Sequence, residues 1–93
     1  MLIHNDESIF IDFIYQEGAI PNGYSANYRI ATDGVTILYG QLEKNDDGNA
    51  FLLRIKSENI QNLSIGEYML YVTVENEAIG YKDYIYEEVL KVV

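Results

Sequence analysis

The chain has no cysteine and no tryptophan, a single proline and a single histidine. Without cysteine there is no disulfide and no thiolate metal site, and nothing marks the redox compartment. With His4 alone, one chain cannot build a histidine-rich metal site. Cations are scarce too: six Lys and Arg stand against fifteen Asp and Glu, a net charge of −9. Binding nucleic acid through its phosphates needs clustered cations, and an anionic membrane surface repels so acidic a chain. Neither is an expected partner. No apolar run approaches the roughly 18 residues that span a bilayer. The opening Met1–Ser8 has neither a basic n-region nor an apolar h-region, which predicts a soluble chain without a signal peptide.

What the chain does have is apolar bulk. Of its 93 residues, 48% are hydrophobic and 13% aromatic, which excludes a disordered polymer. The length fits one domain, residues 1–93, with no room for a second core. Such a chain hides only about 60–65% of its extended surface, so its apolar residues must be well placed.

They are placed with a period of two. Tyr24, Ala26, Tyr28 and Ile30 alternate with Ser25, Asn27 and Arg29. Phe51, Leu53 and Ile55 repeat the pattern, as do Tyr68, Leu70, Val72 and Val74, and near the start Ile9, Ile11 and Phe13. Alternation puts one set of side chains on a core and the other toward water, and Val, Ile, Tyr and Phe suit a pleated surface. Val35–Glu43 reads as a strand with Gly40 at a bulge or strand end. Pro21-Asn22-Gly23, Asp33-Gly34, Asn45–Gly48 and Asn76–Gly80 are turn signals between the runs. Only Ser57–Leu63 breaks the pattern. It reads as one helical turn near 57–63, capped by Ser57, with Ile60 and Leu63 facing inward. The expectation is all-β: a two-sheet sandwich of six or seven antiparallel strands.

The last strand has two readings. A bulge near Glu87-Glu88 would put Tyr84 and Tyr86 on the face of Val89, Lys91 and Val93. An unbroken strand would put them with Leu90 and Val92. Leu63, Gly66 and Tyr68 stand in the spacing L-x-x-G-x-Y before the most regular strand. That spacing fits a tyrosine corner, in which the hydroxyl bonds a backbone group a few residues upstream. It equally fits a plain core aromatic after a glycine turn.

Each constellation that suggests chemistry falls short. Glu43, Asn45, Asp47 and Gly48 imitate the start of a calcium loop, but the twelfth position is Arg54 where a bidentate Glu belongs. A hairpin turn is the better reading. Ser8, Ser25, Ser57 and Ser64 lack a nucleophile-elbow context, and His4 has polar neighbours at the end of the chain. Glu87 and Glu88 are adjacent on a strand and point to opposite faces. These readings predict a protein that is not an enzyme, with no catalytic residues, no metal and no cofactor. The excess is in tyrosine: nine, against three Phe. Tyr24, Tyr28 and Tyr68 belong to the core by alternation. Tyr71, Tyr81, Tyr84 and Tyr86 are the candidate partner-binding residues, since exposed tyrosine combines large contact area with a polar tip. Cross-strand pairing over a small sandwich face accounts for them equally well.

Taken in order, Asp6-Glu7-Ser8, Gly18–Tyr24, Asp33-Gly34, Gly40, Asp47-Gly48, then Ile60, Leu63, Gly66, Tyr68 and Gly80 form a recognisable succession. Over residues 6–93 it resembles the small immunoglobulin-like domains of tailed-bacteriophage virion proteins, such as the N-terminal module of upper baseplate proteins. The resemblance implies an immunoglobulin-like sandwich and a structural role in the tail, baseplate, neck or capsid surface. It also implies other virion proteins, or copies of this chain, as partners. The location would be the virion, and the host cytoplasm before assembly. The alternative expectation is a carbohydrate- or cell-surface-binding module whose tyrosines stack on the sugar rings of a surface glycan.

Overall fold

Period-two segments built from β-branched and aromatic residues need a partner sheet to cover their apolar face, and two sheets form here. The structure, a computed structural model, describes residues 1–93. It contains β1 (Leu2–Ile3), β2 (Ile9–Ile14), β3 (Ser25–Thr32), β4 (Val35–Gln41), β5 (Glu43–Lys44), β6 (Ala50–Ile55), β7 (Gly66–Asn76) and β8 (Tyr81–Val92). One five-stranded sheet has the order β1-β8-β7-β3-β4, and a three-stranded sheet has the order β2-β6-β5. The shortest extent of the molecule is 18 Å, enough for two layers stacked about 10 Å apart and no third.

The expected strands are all present, with two differences in count and direction. There are eight strands, because β1 and β5 are two-residue pieces. Pairing is antiparallel throughout except that β1 runs parallel to the end of β8, Leu2 opposite Lys91 and Ile3 opposite Val92. The Lys91 N–H donates to the Met1 carbonyl and the Val93 N–H to that of Ile3. A two-residue strand carries too little pattern to be read from sequence.

The core is where alternation put it. Ile30, Leu53, Ile55, Ile60, Leu70, Val72, Leu90 and Val92 are fully buried, each worth about 1.5–3 kcal/mol of apolar burial. The Asp33-Gly34 hairpin forms with φ of 51° and 77°, the two positive values that a twist-matching two-residue turn requires. Asn45–Gly48 is a hairpin turn as well: the Asn45 side chain accepts hydrogen bonds from the backbone N–H groups of Asn49 and Ala50.

Three local readings are corrected or narrowed. The helical turn, α1, spans Ser57–Ile60 and buries Ile60, with Leu63 buried just beyond it, but its N-cap is Lys56 and no side chain caps it. The Ser57 N–H is instead bonded by Ser8 Oγ at 3.2 Å. Gly40 is not a bulge but stands at the end of β4, paired with Tyr28 one residue before Gln41, and the β3–β4 ladder shifts instead between Ile30 and Ala31, where Leu38 and Thr36 are their partners and Ile37 is the extra residue. In β8 the bulge lies at Ile85, before the two glutamates. Tyr84 pairs with Thr73 and Tyr86 with Val72, so the strand between them holds one residue too many. Tyr86 therefore joins Leu90 and Val92 inside, while Tyr84 faces out. No helix is long and apolar enough to cross a membrane.

Candidate functional site

The register of the five-stranded sheet decides what each of the four singled-out tyrosines can touch, and it divides them between two surfaces. On the outer face, the side chains of Tyr39, Arg29 and Tyr71 line up across β4, β3 and β7, because Arg29 pairs with both tyrosines. The next row holds Gln41, Asn27, Thr73 and Tyr84. The Arg29 guanidinium lies over the Tyr71 ring at 4.1 Å, and Tyr71 meets Tyr84 edge to face at 5.9 Å. Lys82 reaches over Tyr84 at 5.9 Å from its ring. Together they border a shallow depression of about 320 Å³. Aromatic faces beside a guanidinium, an ammonium and the Asn27 amide offer both stacking and hydrogen-bonding groups.

The second surface is a cleft between the sheets, where the first half of β8 passes β2. It measures about 620 Å³, and Phe13, Ile14, Ile20, Tyr24, Tyr81 and Ile85 are prominent in its lining. Tyr81 packs edge to face on Tyr24 at 5.6 Å. Partial desolvation, then the Asp83 carboxylate beside it, push its hydroxyl above the usual tyrosine range. Tyr86 lies deeper, half-buried, edge to face with Phe13 at 5.3 Å, and its hydroxyl donates to the Glu88 carboxylate. Tyr71 and Tyr84 thus share one surface, Tyr81 opens onto the other, and Tyr86 is a packing residue between the layers.

The edge of β8 bordering the cleft is bare. β1 covers β8 only near its end, through bonds at Val89, Lys91 and Val93. From Tyr81 to Glu88 the strand is paired with β7 on its other side alone. Likewise β2 is paired only with β6. Two unpaired edges therefore flank one apolar cleft.

Elsewhere the polar groups serve the fold. The Tyr68 hydroxyl donates to the Ser64 carbonyl at 2.7 Å, the upstream backbone bond that the Leu63, Gly66, Tyr68 spacing anticipates, with Leu63 buried beneath it. Glu7 fastens the β1–β2 turn by accepting from the His4 N–H at 2.9 Å and meeting the His4 ring at 2.7 Å. Both side chains are exposed. Asp12 pairs with Arg54 at 2.7 Å on the outside of the smaller sheet. No group of three or more His, Asp or Glu side chains is arranged to hold a metal ion.

Sequence reasoning missed Arg29, Tyr39, Ile14 and Ile85. Tyr39 and Arg29 follow from alternation once β4 is read as continuous through Gly40. Ile85 had no signal, because a bulge residue belongs to neither face. Set against protein-family models, curated proteins and solved structures, the chain matches none.

Proposed function

We propose that this chain is a non-enzymatic structural protein that works by holding other protein chains, in the manner of the tailed-phage virion domains it resembles. The observation that carries the reading is the open flank: a bare stretch of β8 from Tyr81 to Glu88 beside a cleft lined by apolar side chains. An unpaired strand edge next to exposed apolar surface is a liability in a protein that works alone. It is a working surface in one that is incorporated into an assembly.

The immunoglobulin-like assignment draws support from strand order. β8, β7 and β3 lie side by side in one sheet, β2, β6 and β5 in the other, matching six strands of the seven-strand immunoglobulin sandwich, with β4 added as in the variable type and β1 beside β8 instead of β2. The Tyr68–Ser64 bond stands where a tyrosine corner stands in such domains. The net charge of −9 keeps the remaining surface soluble and free of nucleic acid.

The test is immunolabelling. Antibodies against the purified chain should decorate intact particles in electron micrographs of lysates from cells that carry its gene. Abundant chain in such lysates with no labelled particle would overturn the virion assignment.

A second reading is favoured by the outer face, where Tyr39, Tyr71 and Tyr84 stand beside Arg29 and Asn27. This suits a surface-glycan module, with sugar rings stacked on the tyrosines. A glycan array probed with the purified chain would give saturable binding that Tyr71→Ser removes, and an array without signal rejects it.

A further inference from the structure

We infer that the bare edge of β8 accepts an extended, basic-flanked segment of a partner protein as an added strand. The inference rests on the protein-holding role above and names the chemistry of what is held. The β1 strand runs parallel to β8, and the Met1 amino group bonds the Val89 carbonyl at 2.8 Å. The slot from Tyr81 to Glu88 continues in line with it. Backbone groups of alternate residues point to the same edge. Val89, Lys91 and Val93 turn theirs to β1, and β8 pairs without interruption from Glu87 to Val92. The N–H and C=O of Glu87 therefore face the open edge. Eight residues at about 3.3 Å each give a slot of roughly 26 Å, long enough for a strand of ordinary length.

Side chains supply the selectivity. An added strand presents alternate residues to the cleft, where Phe13, Ile14, Tyr81 and Ile85 offer an apolar seat. Its ends meet carboxylates that have no ionic partner: Asp83 and Glu87 on β8, and Glu17 beside Tyr15. The cations near the slot are already engaged, Arg54 with Asp12, the Met1 ammonium with Glu88 at 2.9 Å, and Lys82 over Tyr84 on the outer face. The fitting occupant has apolar residues at alternate positions and Lys or Arg at its flanks. A second copy fits poorly, because pairing β8 with β8 brings together two chains of charge −9, along stretches where Asp83 and Glu87 have no ionic partner of their own.

The test is selection from a random peptide library displayed on particles, using the purified full chain as bait, followed by amide mapping of synthetic selected peptides by NMR. Selected peptides should alternate apolar residues between basic flanks and shift the amides of Tyr81–Glu87 most. Glu87→Pro deletes an N–H that the ladder with β7 does not use, so the fold is retained while binding falls at least tenfold. Ile85→Lys should weaken binding similarly by placing an ammonium at the basic peptide's seat. No selected peptides, peptides mapping to the Tyr71 face, or binding that survives both variants would overturn the inference. So would a concentration-dependent dimer in light scattering that Ile85→Lys abolishes. Labelled particles together with a failed selection would reject the added strand alone. The converse would reject the virion role alone.

Discussion

Gly40 lies against the hydroxyl end of the Tyr28 ring: a β-carbon on this glycine would stand 2.8 Å from the ring's Cε1 and 3.0 Å from its hydroxyl oxygen. The two are partners across the β3–β4 ladder, and the Tyr28 ring, itself buried, covers the gap that the missing side chain leaves. Gly40→Ala should therefore destabilise the fold by about 1–3 kcal/mol through overpacking, a fall of several degrees in Tm for a domain of this size. Tyr28→Leu withdraws the ring, so in that background the same alanine should cost much less. A double-mutant cycle in urea measures the coupling, and additive effects would show that the contact carries no strain.

The corner bond is open to a single-atom test. Tyr68→Phe removes the hydroxyl that donates to the Ser64 carbonyl but leaves the buried ring in place. Ser64 is exposed, so its carbonyl can turn to water, and the loss should be about 0.5–1.5 kcal/mol. Leu70→Ala, on the same strand and fully buried, should cost about 2–5 kcal/mol. Chemical denaturation of both variants checks the order, and a larger loss from Tyr68→Phe than from Leu70→Ala would refute it.

Much of this architecture was legible in the residues, for a definite reason. Leu53, Ile55, Leu70 and Val72 are buried on both sides of the two-layer core, and strict alternation has no other stable solution. Asp33-Gly34 announced its hairpin because few other pairs tolerate two positive φ values. The two candidate surfaces were less legible. Side-chain parity along β8 depends on where one extra residue sits, and Ile85 looks like any other strand isoleucine. The bare edge follows from where β1 docks, a long-range pairing of two residues that no local pattern encodes. The four tyrosines were visible as an excess, but their division between two surfaces was not.

That division makes opposite demands on neighbouring tyrosines. Tyr86 is half-buried, packs on Phe13 and bonds Glu88, so Tyr86→Ser should lower stability by about 1–3 kcal/mol, chiefly through lost apolar burial. Tyr84 is 45% exposed on the outer face, and Tyr84→Ser should change stability by less than about 1 kcal/mol. Thermal melts of the two variants settle the register. Equal losses would mean that the bulge lies elsewhere than at Ile85.

The turn between β1 and β2 ties a small part of the stability to pH. The carboxylate of Glu7 is held below its ordinary range, first by the hydrogen bond from the His4 backbone N–H and next by the His4 side chain. A carboxyl whose folded value is depressed adds stability above its unfolded value, about 4.3, and loses that contribution as pH falls through the folded value. Glu7→Gln should therefore weaken the fold slightly near neutral pH and make no difference well below pH 4. Carbon-detected NMR should place the midpoint of the Glu7 side-chain carboxyl below the ordinary glutamate value. In His4→Ala the backbone donor stays, so part of the depression should persist. A midpoint at the ordinary value in the unaltered chain would mean that the turn is not fastened by this carboxylate. Full recovery in His4→Ala would assign the hold to the ring instead of the backbone.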